Sequence, residues 1–287
     1  MKRVLTFLSI SILTLFFVVG TASAVPFQNW YVSLDGGDTL FEIETYDLNI
    51  AGRGYVETEQ VDGVFQFEEW AFFQAVGIPD GPQLAATFPN HQLTATLNAQ
   101  GQIIDDELTF TGGSLDIYVN PQRVYGEQAE YFYGAAAGDL IANFALVSGS
   151  GSVEIDPALA PKGSYDTQFT ATMLEPGYFF GPDQSDLAGL DPISLIFAYA
   201  NATADYIDEG SGDRWDNFVS GLSEFAGLEA PPIDDPFASF FFNSVGDFRI
   251  GADVPPVPVP EPASMFLFGA GLLGLAAFGR KKIMKKN

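Results

Sequence analysis

The chain has 287 residues, with 12 Lys and Arg against 37 Asp and Glu, and no cysteine. The lack of cysteine excludes disulfides, thiolate metal sites and a cysteine nucleophile, and the acidic excess excludes nucleic-acid or anionic-lipid binding through clustered Lys and Arg. With 27 Phe, 11 Tyr and 3 Trp, the chain is too aromatic for a disordered acidic polymer and can bury a core.

Met1-Lys2-Arg3 precede an apolar run over residues 4–19, then Gly20 and Ala22-Ser23-Ala24. A basic start, an apolar stretch and a small-x-small site make residues 1–24 a secretory signal peptide, with cleavage after Ala24 and Val25 as the first mature residue. Residues 25–262 keep only five basic residues against all 37 acids, a net charge of −32. Such a body stays soluble by self-repulsion and attracts divalent cations. An exported domain without disulfides relies on core size, which favours one large domain over residues 25–250.

That domain is dominated by period-two stretches separated by Gly, Pro, Asn and Asp. Residues 41–45 alternate, as do 55–61 and 64–70, which meet at Asp62-Gly63 in a predicted hairpin. Residues 92–98 predict a further strand. A second hairpin is predicted between 107–111 and 114–119 across Gly112-Gly113. Further strands are expected at 140–147, 151–155, 165–173, 193–203 and 238–250, with a flexible turn at Gly149-Ser150-Gly151. Trp215, Phe218, Val219, Leu222 and Phe225 have helical spacing, with Asp213 placed to cap. About ten strands, one helix and no long repeat predict an all-β fold, a β-sandwich or jelly roll.

Chemistry-bearing patterns are sparse. The single histidine, His91, sits in a turn before a strand, and no Gly-x-Ser-x-Gly elbow accompanies it. The pairs Glu68-Glu69, Asp105-Asp106-Glu107, Asp208-Glu209 and Asp234-Asp235 are adjacent in a chain full of acids, so adjacency carries little information about a glycosidase pair. The acidic, Gly-rich loop from Asp205 through Asp208 to Asp213 is a candidate calcium site, since hard cations take many oxygens; Asp35-Gly36-Gly37-Asp38 is a weaker one. A solvated turn with a helix cap accounts for the same residues. Asn201-Ala202-Thr203 reads as a chance match to a glycosylation acceptor. Trp30, Tyr31, Tyr131, Phe132 and Tyr133 are candidates for stacking on sugars.

Residues 251–262 are a proline-rich spacer, which favours stiff polyproline II chain. Residues 263–279 are uncharged and mostly apolar, at the short end for a membrane-spanning helix. Gly269-Ala270-Gly271-Leu272-Leu273-Gly274 lies in this span and not after a strand, so it reads as a close-packing face and not a nucleotide fingerprint. Arg280, Lys281, Lys282, Lys285 and Lys286 follow, and such a basic cluster stays on the cytoplasmic side.

The order Pro260-Glu261-Pro262, apolar span, basic end resembles the PEP-CTERM sorting signal. The resemblance implies recognition by an exosortase, a protease-like sorting enzyme of the membrane. It further implies passage through the secretion translocon, transient anchoring in the inner membrane, loss of the tail, and delivery to the cell surface or an extracellular polysaccharide matrix. The body segments 54–77 and 240–249 resemble flocculation-associated proteins of that class. The expectation is a non-enzymatic surface or matrix protein with a structural, adhesive or flocculation role. The alternative is a carbohydrate-binding or carbohydrate-cleaving β-sandwich acting on exopolysaccharide.

Overall fold

Alternation of apolar and polar residues fixes which face of each strand is buried, and here every long strand turns its apolar face to one shared interior. In the computed structural model, which describes residues 24–154, 162–190, 192–204, 213–227 and 239–253, the strands are β1 (Ala24–Pro26), β2 (Trp30–Val32), β3 (Phe41–Ile43), β4 (Leu48–Val61), β5 (Val64–Gly77), β6 (Gln92–Ile104), β7 (Glu107–Asn120), β8 (Asp139–Glu154), β9 (Lys162–Leu174), β10 (Phe179–Phe180), β11 (Ile193–Ala204) and β12 (Ser239–Asp253). The helical segments are α1 (Leu84–Thr87), α2 (Glu130–Tyr133) and α3 (Asp213–Ala226). Residues 24–253 form one compact unit.

The eight long strands pair antiparallel in the order β4-β5-β6-β7-β8-β9-β11-β12, and β12 pairs back onto β4. The sheet therefore closes into an eight-stranded barrel. The expected all-β class holds, but the sandwich and jelly roll are corrected to this barrel. The reason lies in glycines that the sequence reading took for turns.

β7 runs unbroken through Gly112-Gly113, and the hairpin turn lies instead at Asp105-Asp106, both with positive φ (51° and 65°). A side chain at Gly113 would come within 2.8 Å of the Asn98 carbonyl oxygen, and the register with β6 slips at Gln100/Gly101. Likewise the expected turn at Gly149-Ser150-Gly151 lies inside β8, where a side chain at Gly149 would meet Thr167 at 2.6 Å and the Phe110 ring at 2.9 Å. Glycine and bulge together let a long strand bend, which is how a sheet curls shut. The expected strands 140–147 and 151–155 are thus one strand. By contrast Asp62-Gly63 is the predicted hairpin turn, with φ of 52° and 87° and Val61 opposite Val64.

The interior is filled, not hollow. Phe67, Phe73, Phe110, Phe144, Phe169, Phe197, Phe242 and Phe248 are all buried in one core, as an eight-stranded barrel has room for little more than its own side chains. The small sheet β10-β2-β3 adds Trp30, Val32, Phe41, Ile43 and Phe179 to this core, with the Trp30 ring 6.0 Å from Phe248. The outward face carries Glu57, Glu59, Gln66, Glu68 and Gln100. Apolar inside and acidic outside is the reverse of the alternation in a lipid-facing barrel.

One patch of the outer wall is covered. Tyr55, Trp70, Phe72 and Phe241 point outward and are buried by Phe218 and Leu222 of α3 and by Tyr133. The helix expected over 215–225 is therefore α3, lying on the barrel wall. Its neighbour α2 is left-handed: Tyr131, Phe132 and Tyr133 have φ of 55°, 56° and 61°, and Gly134 follows at 76°. Left-handed backbone costs roughly 1–2 kcal/mol per residue outside glycine. The burial of Tyr133, whose ring stacks edge-on against Phe218 at 5.5 Å and Tyr125 at 5.1 Å, holds the turn in place. Tyr131 itself is 58% exposed and contributes strain with little packing. Replacing Tyr131 with Asn, which tolerates this conformation, is expected to stabilise the fold by about 0.5–1 kcal/mol. Thermal unfolding reads this as a midpoint higher by about 2 °C; a lowered midpoint would show that the ring packs in solution.

Candidate functional site

Arg53 lies on the outward face of β4, in register with Phe72 on β5 and Asn243 on β12. Arg123 follows the end of β7 and donates from Nη1 to the backbone oxygen of His91 at 3.4 Å. Both arginines line one outer groove of about 500 Å³, together with Gln74, Gln92, Tyr125, Tyr133, Asn243 and Glu127, among others. The groove's floor is a hydrogen-bonded set. Gln92, 8% exposed, donates from Nε2 to Gln74 Oε1 at 3.3 Å and accepts from the Tyr125 backbone N–H at 3.1 Å. The Tyr125 hydroxyl donates to the Phe72 carbonyl at 2.8 Å. Burial pushes the Tyr125 phenol far above its ordinary range, Tyr133 adds to the shift, and the nearby Arg53 charge opposes it.

The arginines stand out against the rest of the body. Arg249, on β12, bridges two carboxylates: it pairs with Asp47 and lies 3.0 Å from Asp247. Burial, with the Asp47 charge beside it, pushes the Asp247 carboxyl up to about 6, against the pull of Arg249. Among the described residues no ion pair joins Arg53 or Arg123 to a carboxylate. A second outer groove, of about 630 Å³, has the opposite sign: Glu57, Glu59 and Glu68 line it with Gln66, Gln100 and Gln102.

Among the described residues one carboxyl is sealed inside the barrel. Glu69 points inward from β5 in the same alternation as Phe67, Ala71 and Phe73, is 3% exposed, and accepts a 2.7 Å hydrogen bond from the Tyr165 hydroxyl. Burial pushes its carboxyl up to about 7, against the lowering effect of Tyr165. It lines neither groove.

Among the described residues, those picked out in the sequence are not brought together. Trp30 is fully buried and donates from Nε1 to the Tyr46 carbonyl at 3.1 Å; Tyr133 is buried in the outer cluster; the Phe132 ring packs on Phe225 at 4.8 Å. Only Tyr131 of the five aromatics is well exposed, so no sugar-stacking platform forms from them. Glu68 and Glu69 face opposite sides of the barrel wall, which removes them as a carboxylate pair. Asp35 uses Oδ1 to accept from Ser33 Oγ and the Thr39 backbone N–H, at 2.8 and 2.9 Å, so its carboxylate closes a turn. Asp213 opens α3, while Asp205 and Asp208 lie outside the described residues, as do Asp234-Asp235. Among the described residues no three His, Asp or Glu side chains are grouped to hold a metal ion. His91 is a turn residue beside Phe88, as read, and its carbonyl anchors Arg123.

Of the processing signals, Ala24 and Val25 are in β1, paired with Asp253 and Ala252 of β12. Residues 251–253 of the expected spacer are the end of β12, whereas Ala22, residues 254–262 with Pro260, Glu261 and Pro262, and the apolar span lie outside the described residues. Among the described helices none is long and apolar enough to cross a membrane. No curated protein and no solved structure matches the chain. The model of the PEP-CTERM protein-sorting motif matches residues 258–282, the stretch that runs from the proline-rich spacer through the apolar span to the basic end. That motif marks an exported chain held in the membrane by its tail until an exosortase processes it, and the chain is accordingly a PEP-CTERM domain-containing protein.

Proposed function

We propose that the barrel is a non-catalytic module of the cell surface or extracellular matrix, with an adhesive or flocculation role exercised by binding extracellular polysaccharide. The observation that carries this reading is the sorting motif at residues 258–282 behind a barrel with a packed interior. An eight-stranded barrel filled by its own phenylalanines has little room for an internal ligand. Ligand contact then falls to the outer wall, whose polar face and grooves suit a hydrated polymer. The sealed position of Glu69, a carboxyl whose proton affinity burial raises, supports binding without catalysis, because a general acid must reach its substrate.

The test is co-sedimentation. The processed protein, recovered from the producing cells, is expected to pellet with their extracellular polymer and to stay bound through a wash at moderate salt. A strain lacking the gene is expected to settle more slowly. Protein found free in the medium, with unchanged settling, would overturn the reading.

A further inference from the structure

We propose that the groove lined by Arg53 and Arg123 is a binding site for a carboxylate-bearing sugar, such as a uronic acid unit. The inference rests on the polymer-binding reading and names the chemistry of the unit recognised.

Charge comes first. The body holds five basic residues among 37 acids, and two of the five line this one groove. Of the three arginines with described side chains, Arg249 lies between Asp47 and Asp247, whereas no ion pair joins Arg53 or Arg123 to a carboxylate among the described residues. Guanidinium presents two parallel N–H donors that match a carboxylate. Arg123 spends one nitrogen on the His91 carbonyl, which fixes the side chain at the rim and leaves its other donors for a ligand.

Size and lining then select among anions. A groove of about 500 Å³ is far larger than an inorganic anion needs and falls in the range of small-molecule sites. Besides the arginines its lining includes the amides of Gln74, Gln92 and Asn243, the tyrosines Tyr125 and Tyr133, and one carboxylate, Glu127. Amides serve hydroxyl groups as both donor and acceptor. Cation and amide together describe an acidic polyol.

The walls are also held in advance. Gln92 is locked by Gln74 and Tyr125, and Tyr125 by the Phe72 carbonyl. Tyr133 is set by the left-handed turn before Gly134. Strain held by surrounding structure is found where side chains must be pre-positioned. The net charge of the body repels a polyanion at long range, but that repulsion is screened beyond about 8 Å at physiological salt. Contact pairing inside the groove is screened less.

The test is calorimetric titration of the processed protein with glucuronate, its methyl ester, glucose and inorganic phosphate. Glucuronate is expected to bind at least tenfold tighter than glucose or the neutral ester. The double variant Arg53→Gln, Arg123→Gln is expected to lose at least tenfold affinity with an unchanged melting midpoint. The ester arm needs no variant and so stands whether or not the double variant folds. Phosphate binding as tight as glucuronate would reduce the groove to a general anion site and overturn the proposal. So would equal binding of acid and ester, or no binding at all. The polymer-binding reading fails separately: protein that co-sediments with polymer yet ignores glucuronate removes the groove assignment alone.

Discussion

Replacing Glu69 with Gln is expected to raise the unfolding free energy by about 3 kcal/mol at pH 8 and to change it little at pH 4. The carboxyl is buried inside the barrel, and burial raises its pKa from an ordinary 4.5 to about 7, although the Tyr165 hydroxyl donates to it. Below about pH 4.5 the group is protonated whether the chain is folded or not, and it adds no pH-dependent cost. Between 4.5 and 7 the unfolded chain releases the proton while the folded chain keeps it, so stability falls as pH rises. Above about 7 the folded chain carries a buried carboxylate, and the loss reaches its full value. A shift of two to three units corresponds to about 3 kcal/mol. The amide of Gln keeps an oxygen for Tyr165 and has no charge to bury. Urea unfolding of both proteins across pH 4–8 gives the measurement. Mutual repulsion of the other acids is common to both and cancels in the difference. A difference that is flat with pH would mean that Glu69 is reached by water.

The second large effect concerns sorting. Changing Pro260, Glu261 and Pro262 together to Ala is expected to leave export intact while shifting nearly all of the chain from the released fraction to the inner membrane. The three residues sit within the matched stretch 258–282 and beyond Asp253, the last residue of β12, so the barrel keeps all its strand pairs. The apolar span and the basic end remain and hold an unprocessed tail in place. Fractionation with an antibody to the body, together with the melting midpoint of the retained protein, reads both halves. Normal release of the triple variant would overturn the assignment of Pro-Glu-Pro as the recognised element.

The sequence showed strands well and closure poorly. Asp62-Gly63 between alternating runs is a turn on local grounds, and the structure has it there. Gly112-Gly113 looks the same locally and is not a turn, because its missing side chains make room for Asn98 and Ala99 across the sheet. What separates the two cases is which strand lies alongside, and that is long-range information. The pairing of β12 with β4, which turns the sheet into a barrel, is of the same kind. At the candidate site Gln74 and Asn243 are 169 residues apart in sequence, and only the closed register brings both to Arg53. Arg53 and Arg123 carried one local hint, their rarity in an acidic body. Glu69 carried another, its place in the inward alternation with Phe67 and Phe73, which the adjacent Glu68 obscured.

The pairing of β4 with β12 joins an early long strand to the last one and ties the order of assembly to the order of export. A chain threaded outward from its N-terminus delivers β4 early, with one edge unpaired, and delivers its partner β12 last. Until then β4 and β11 are open sheet edges, the feature that invites pairing with other chains. The arrival of β12 closes both edges at once, since it pairs with β11 on one side and β4 on the other.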